Sequence, residues 1–202
     1  MPFEVFLALC GFSFVTSVTP GPNNMMLLAS GVNFGFRRTI PHMLGISVGF
    51  TLMVGLIGLG LGKVFELWPI LFVILKYAGA AYMLWLAWGI ANSGPVGDGE
   101  VRGKPMTFLG AAAFQWVNPK AWVMALSAIP TYTQPNNYIS SVLIVAFVFG
   151  IVNLPSVGSW AAFGSAMRNV LSNPRVVRWF NWAMALLLVA SLWPIIADLV
   201  SK

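Results

Sequence analysis

Apolar stretches long enough to cross a membrane recur along this chain with few charges inside them, and no other feature constrains its fold as tightly. Six are legible, at 3–32, 41–61, 69–91, 107–130, 138–165 and 179–200. A helix needs about 20 apolar residues to cross a hydrocarbon core of about 30 Å, and each stretch is long enough. Only 8% of the residues are charged, against about 25% in soluble proteins, too few to cover a soluble surface of this size. The pattern predicts an all-α membrane protein of six transmembrane helices, embedded in a lipid bilayer. Abundant tryptophan and proline agree, since Trp gathers at membrane interfaces and Pro is tolerated in membrane helices.

The joints between the stretches carry an orientation signal. Arg37 and Arg38 lie in 33–39, Arg102 and Lys104 in 92–105, and Arg168, Arg175 and Arg178 in 168–178. The joint 62–68 holds Lys63 and Glu66, and 131–137 holds no charge. The positive-inside rule places the first, third and fifth joints in the cytoplasm and both termini outside, as an even number of spans requires. Basic residues scattered this way are topology signals, so the net charge of +6 does not point to nucleic acid. The N-terminal stretch is expected to remain in place as a helix. It has Glu4 as its only charge, and it runs into Thr19-Pro20-Gly21-Pro22 where a signal peptide would end in small residues.

The third joint divides the chain into two three-helix halves, 1–91 and 107–202, with 92–106 as a cytoplasmic linker. An odd number of spans per half gives the halves opposite orientations, the geometry of an inverted repeat. The correspondence that supports the repeat is a proline break inside the first helix of each half, at Thr19-Pro20 and at Asn118-Pro119.

These breaks are the candidate site. A straight helix over 3–32 would be about 45 Å long, more than one span, and Pro20 and Pro22 interrupt it near the middle. Each proline lacks an N–H and crowds the carbonyl four residues earlier, which would free the carbonyls of Thr16, Val18 and, at Pro119, Gln115. Such groups must face protein or a wet cavity, because an unpaired carbonyl in lipid costs several kcal/mol. Thr19 and Asn118 also read as N-caps, with Pro20 and Pro119 at the first helical position. Two half-helices would then start inside the membrane, each N-terminus carrying about +0.5 elementary charge. Those ends, with Lys120, suit a carboxylate. The freed carbonyls and the amides of Asn23 and Asn24 suit an ammonium, so a zwitterionic amino acid is the natural ligand. Against this stands the plain reading of the prolines as packing kinks, but two breaks with polar caps at matching positions favour the site.

The run Thr19-Pro20-Gly21-Pro22-Asn23-Asn24, Phe36-Arg37-Arg38 and Gly45-Ile46-Ser47-Val48-Gly49 resemble the first half of the LysE/RhtB family of amino-acid exporters. Gly79-Ala80-Ala81-Tyr82-Met83-Leu84-Trp85-Leu86 and Asn118-Pro119-Lys120-Ala121 are similar to it as well, and the resemblance covers nearly the whole chain. It implies export of amino acids from the bacterial cytoplasm across the inner membrane, six helices, and a compact unit able to form a homodimer. The doubled Asn after Pro-Gly-Pro and the Gly-Ala-Ala-Tyr run are similar to the cysteine/O-acetylserine exporter branch. Gln115-Trp116-Val117 departs from the shorter aliphatic or Phe-Leu lead-in of many members.

The leading function is therefore a secondary transporter that exports small neutral amino acids or derivatives by alternating access. Coupling to a proton or to the membrane potential is assumed, because no nucleotide-binding motif is present. Pro20, Gly21, Pro22 and Pro119 would shape the site, and Thr19, Asn23, Asn24, Asn118 and Lys120 would line it. Lys120, some 13 residues into its stretch, lies too deep to reach the interface easily, and burying it would cost about 2.5–3.5 kcal/mol on insertion scales. Lys76 reads as an interfacial cation or a substrate contact, and His42 as a structural residue or a proton relay. Glu4 and Asp198 lie near helix ends, so no carboxylate is placed at mid-membrane. That favours a neutral amino acid over a cationic one such as lysine. Gly45 and Gly49 form GxxxG, suited equally to packing within the chain or to dimerisation. Asn153 and Pro155 read as a further kink.

Other classes fare worse. An intramembrane protease needs HExxH, paired aspartates or a Ser–His dyad. Cys10, the single cysteine, excludes a disulfide framework and CxxC chemistry. No pattern asks for a metal or another cofactor. A non-transporting assembly or sensor subunit would not need two polar breaks in lipid. That subunit, or an exporter of another small solute or a cation, remains the alternative.

Overall fold

A computed structural model describes residues 1–95, 101–171, 173–193 and 197. Asp98, Glu100, Asp198, Lys202 and the far end of the stretch 179–200 lie outside the described residues. The described fold is all-helical apart from a two-residue antiparallel ladder, Gly94–Pro95 with Val101–Arg102. The helices are α1 (Phe3–Val18), α2 (Pro22–Phe34), α3 (Phe36–Leu56), α4 (Gly62–Leu67) and α5 (Pro69–Ala91). They continue with α6 (Phe108–Phe114), α7 (Pro119–Tyr132), α8 (Tyr138–Val170) and α9 (Pro174–Ala190).

Among the described residues, three apolar helical stretches are long enough to cross a bilayer: Phe36–Leu67, Pro69–Ala91 and Pro135–Arg168. The bent pair α1 and α2, at 55° to each other, makes a fourth if counted as one span. The stretch 107–130 appears as α6, a 3₁₀ turn Gln115–Val117 and α7, neither helix long enough to cross alone. α9 has 17 residues, about 25 Å of helix, slightly less than the hydrocarbon thickness.

The surface is inverted relative to a soluble protein. Leu109, Trp85 and Phe147 are 76%, 64% and 66% exposed, whereas Asn24, Gln115, Asn118 and Asn181 are at most 2% exposed. Apolar side chains face outward and amides inward, as a hydrocarbon surround demands. α5 shows the pattern most simply. It buries only Gly79, Met83, Ala87 and Ala91, one stripe at i, i+4, and most of its remaining large side chains are exposed.

α2 packs along α8, α3 along α6 and α8, and α5 along α9. Small residues let these backbones approach. A Cβ at Gly45 would meet the Phe108 carbonyl and Ala111, and one at Gly49 would come within 2.9 Å of the Ala112 side chain. The GxxxG of α3 therefore serves packing within the chain, against α6. Gly31 and Gly164 do the same between α2 and α8.

Two clusters make up most of the core. One gathers Leu9, Phe50, Met53, Trp122, Val142 and Phe149 from α1, α3, α7 and α8. The other gathers Met26, Met83, Phe114 and Leu188 from α2, α5, α6 and α9. The first break carries the chain from the first cluster to the second, and the second break carries it back.

Several boundaries differ from expectation. The second helix begins at Phe36, five residues before Pro41, because Gly35 at φ 80° makes the turn between α2 and α3. Pro41 then lies inside α3. α8 runs unbroken through Pro155 to Val170, five residues beyond the end of the stretch 138–165.

Candidate functional site

The first break is a short extended segment. Thr19 ends α1 with ψ 146°, Gly21 is extended, and α2 begins at Pro22. Thr19 is thus not the N-cap expected of it. Two prolines two residues apart delay the restart, so Gly21 becomes the N-cap and offers no side chain. The hydroxyl of Thr19 turns back instead and donates to the Thr16 carbonyl at 3.1 Å. At the second break the expectation holds. Asn118 caps α7, its Oδ1 accepting from the Lys120 N–H at 3.1 Å, with Pro119 at the first helical position.

Every carbonyl expected to be freed by a proline has a partner. Thr16 O takes the Thr19 hydroxyl, Val18 O accepts from Trp160 Nε1 at 3.0 Å, and Gln115 O accepts from the Asn118 N–H at 3.3 Å. The carbonyls of Ser17 and Thr19 are held by Asn24, whose Nδ2 donates to them at 2.9 and 2.7 Å. Asn24 thus closes the end of α1 from the first turn of the next helix, in keeping with the cost of a bare carbonyl in lipid.

Lys120 joins the two breaks. From the first turn of α7 its Nζ donates to Thr19 O at 2.6 Å and Thr19 Oγ1 at 3.0 Å, and lies 3.4 Å from Pro20 O. Its stem crosses Gly21, where an added Cβ would lie 2.6 Å from Lys120 Cδ. Thr19 and Pro20 are exposed, Lys120 is half-buried, and Asn24 and Asn118 are buried. A second bridge is an amide pair. Asn23 Nδ2 donates to Gln115 Oε1 at 2.9 Å, and Gln115 Nε2 returns to Asn23 Oδ1 at 3.2 Å.

Gly21, Asn23, Asn24, Asn118 and Lys120 surround a space of only about 20 Å³, also bordered by Gln115 and Asn153. That volume admits about one water. Pro20, Pro22 and Pro119 set the backbone without bordering it. Lys76, half-buried on α5, and His42, buried on α3, are not part of this group.

Sequence reasoning passed over Gln115 as a partner of Asn23, Ser17 as a partner of Asn153 at 3.2 Å, and the buried pair Asn33–Asn181. Asn33 and Asn181 exchange amide bonds at 2.8 and 3.0 Å, and Asn181 also donates to Ser93 O. The available signal was an amide inside an apolar stretch, which is costly in lipid and finds a partner by default.

Fold and site together define a membrane-embedded helical protein whose two broken helices meet at polar residues. The model of the LysE type translocator family matches residues 14–191. The chain belongs to that family, a family of transporters, and is not an enzyme. Curated relatives include the cysteine/O-acetylserine efflux proteins of Escherichia coli (strain K12) and Salmonella typhi. Each is 33% identical over 180 residues, which cover 88% of this chain and 90% of the relative. No solved structure matches the chain.

Proposed function

We propose that this protein exports small neutral amino acids or close derivatives, cysteine and O-acetylserine foremost, from the bacterial cytoplasm across the inner membrane. The observation that carries this reading is the seat of Lys120. Its ammonium occupies a cluster of backbone and hydroxyl oxygens at the first break, the kind of site that would take the ammonium of an amino acid. The start of α2, which lacks a side-chain cap, offers N–H groups and dipole to a carboxylate.

In this reading the closed arrangement described above is one state of the cycle. The space at the breaks is too small for an amino acid, so substrate enters when the halves separate there. Its ammonium then replaces that of Lys120 at Thr19 and Pro20, and the released Lys120 turns to the carboxylate. One ammonium exchanged for another keeps the carbonyls paired throughout, and no mid-membrane acid is needed. The names of the relatives and the family membership support the substrate class.

The moving parts are the halves 1–91 and 107–202, six spans in two inverted repeats joined by the linker 92–106, with both termini outside and a proton or the membrane potential as the driving force. Support comes from the opposite passage of the two breaks between the core clusters and from the pairing of α3 with α8 and α5 with α9 across the halves.

The test is amino-acid excretion by bacteria loaded with dipeptides, comparing this chain, its Lys120→Met variant and an empty vector. Faster efflux of cysteine or O-acetylserine, lost in a variant of normal membrane abundance, is the expected result. No efflux of any amino acid from cells with the protein in their membrane would overturn the reading.

A further inference from the structure

A cavity of about 370 Å³ lies between α2, α5, the beginning of α6 and the first turns of α3. It starts at Met26, one turn beyond Asn23, and ends at Phe34, Ser93 and Lys104, the side that the basic joints assign to the cytoplasm. On α5 its wall is aromatic. Tyr82 and Trp85 stack with ring centroids 5.5 Å apart and planes at 19°. On α2 and α3 it is polar, with Ser30, Asn33 and His42.

Two of these polar groups have partners in the protein. Ser30 Oγ and Thr39 Oγ1 share a hydrogen bond of 2.8 Å, and the Asn33 amide is bonded to Asn181 and Ala29. His42 differs. It is 2% exposed, and neither Nδ1 nor Nε2 has a hydrogen-bond partner among the described residues. An imidazole always has at least one N–H to donate, and in its neutral form one nitrogen accepts. Burying such groups unpaired is unfavourable, and Leu or Met would fill the same volume without that penalty. His42 lines an amino-acid-sized cavity while its unpaired nitrogens lie just below the wall, so the ring, turned towards the cavity, offers a donor to a small polar ligand.

Resting on the export reading, we propose that this cavity is a first seat for the exported amino acid on the cytoplasmic side. It takes a zwitterionic α-amino acid with a small uncharged side chain. His42 hydrogen-bonds the charged head group, and the Tyr82–Trp85 stack faces the side chain. From there the path to the breaks passes the Asn23–Gln115 amide pair. Asn23 lies on α2 one turn before Met26, and Gln115 caps the end of α6, on which Gly110 borders the cavity; both amides border the space beside Lys120 and neither borders the cavity.

Gly89 borders the cavity, and a Cβ added there meets nothing within 4 Å among the described residues. Gly89→Cys in a Cys10→Ala background therefore places a lone thiol on the wall. The experiment follows its alkylation by N-ethylmaleimide in membranes, with O-acetyl-L-serine as the protecting probe. O-acetylserine should slow the labelling. The concentration that gives half protection should rise at least about tenfold with His42→Met, the size expected for a lost hydrogen bond to a charged group. It should return towards the parent value with His42→Gln. His42→Met should unfold in detergent at no lower temperature than the parent, which separates loss of the seat from loss of the fold. Absence of protection with His42 intact overturns the proposal whatever the variants do, and so does a thiol that never reacts. Unchanged protection in His42→Met removes His42 from the seat. Export without protection rejects the seat alone, whereas protection without export rejects the export reading and leaves a binding cavity.

Discussion

Asn24 illustrates how one side chain can make a break in a membrane helix affordable to the fold. Its amide closes two carbonyls at the end of α1, while Lys120 satisfies one of them a second time from α7. Asn24→Leu should therefore lower the thermal unfolding temperature in detergent, by the equivalent of about 1–3 kcal/mol for each carbonyl left bare. An unchanged melting temperature would mean that water replaces the amide without loss. Lys120 and Asn118 were legible in the sequence because a lysine and an amide beside a proline, deep in an apolar stretch, have few other reasons to be there. The partner of Lys120 was not legible. Thr19 lies 101 residues away, and only the packing of α7 against the end of α1 brings it within reach. The reading of Thr19 as an N-cap failed for a local reason, the second proline at Pro22, which moved the helix start past Gly21.

At the scale of the helices, proline and glycine punctuation located most ends. Pro69 opens α5 as expected, and Tyr138 opens α8 directly after the turn at Pro135. It misplaced the start of α3, since Gly35 and not Pro41 makes the turn. The role of Gly45 and Gly49 needed the structure, because a GxxxG motif suits internal and external helix contacts alike. Here both glycines lie against α6, so Gly45→Leu and Gly49→Leu should each sharply reduce the amount of folded protein in the membrane. Gly11→Leu, at a position with nothing within 4 Å of a Cβ, should be tolerated. Well-folded Gly45→Leu and Gly49→Leu chains with a changed oligomeric state would instead assign the motif to a dimer interface. Expression level and size-exclusion profiles in detergent distinguish the two outcomes.

For the whole molecule, the apolar exterior and buried amides were foreseeable from composition, whereas the exchange of the chain between two core clusters at its breaks was not, since periodicity says nothing about which helices pack together. The proposed orientation can be tested by cysteine accessibility in a Cys10→Ala background. Arg38→Cys should react only with reagent reaching the cytoplasmic face, and Lys63→Cys only with reagent applied outside, in intact cells. The reverse pattern would invert the topology and put the 370 Å³ cavity on the outer side. The central claim, that the two breaks joined by Lys120 form the transport site, is tested most directly in proteoliposomes holding equal cysteine concentrations inside and outside under reducing conditions. Exchange of labelled cysteine in that arrangement needs binding and alternation but no driving force. The account predicts rapid exchange by the parent chain and exchange indistinguishable from protein-free liposomes by Lys120→Met; parent-like exchange by Lys120→Met would contradict it.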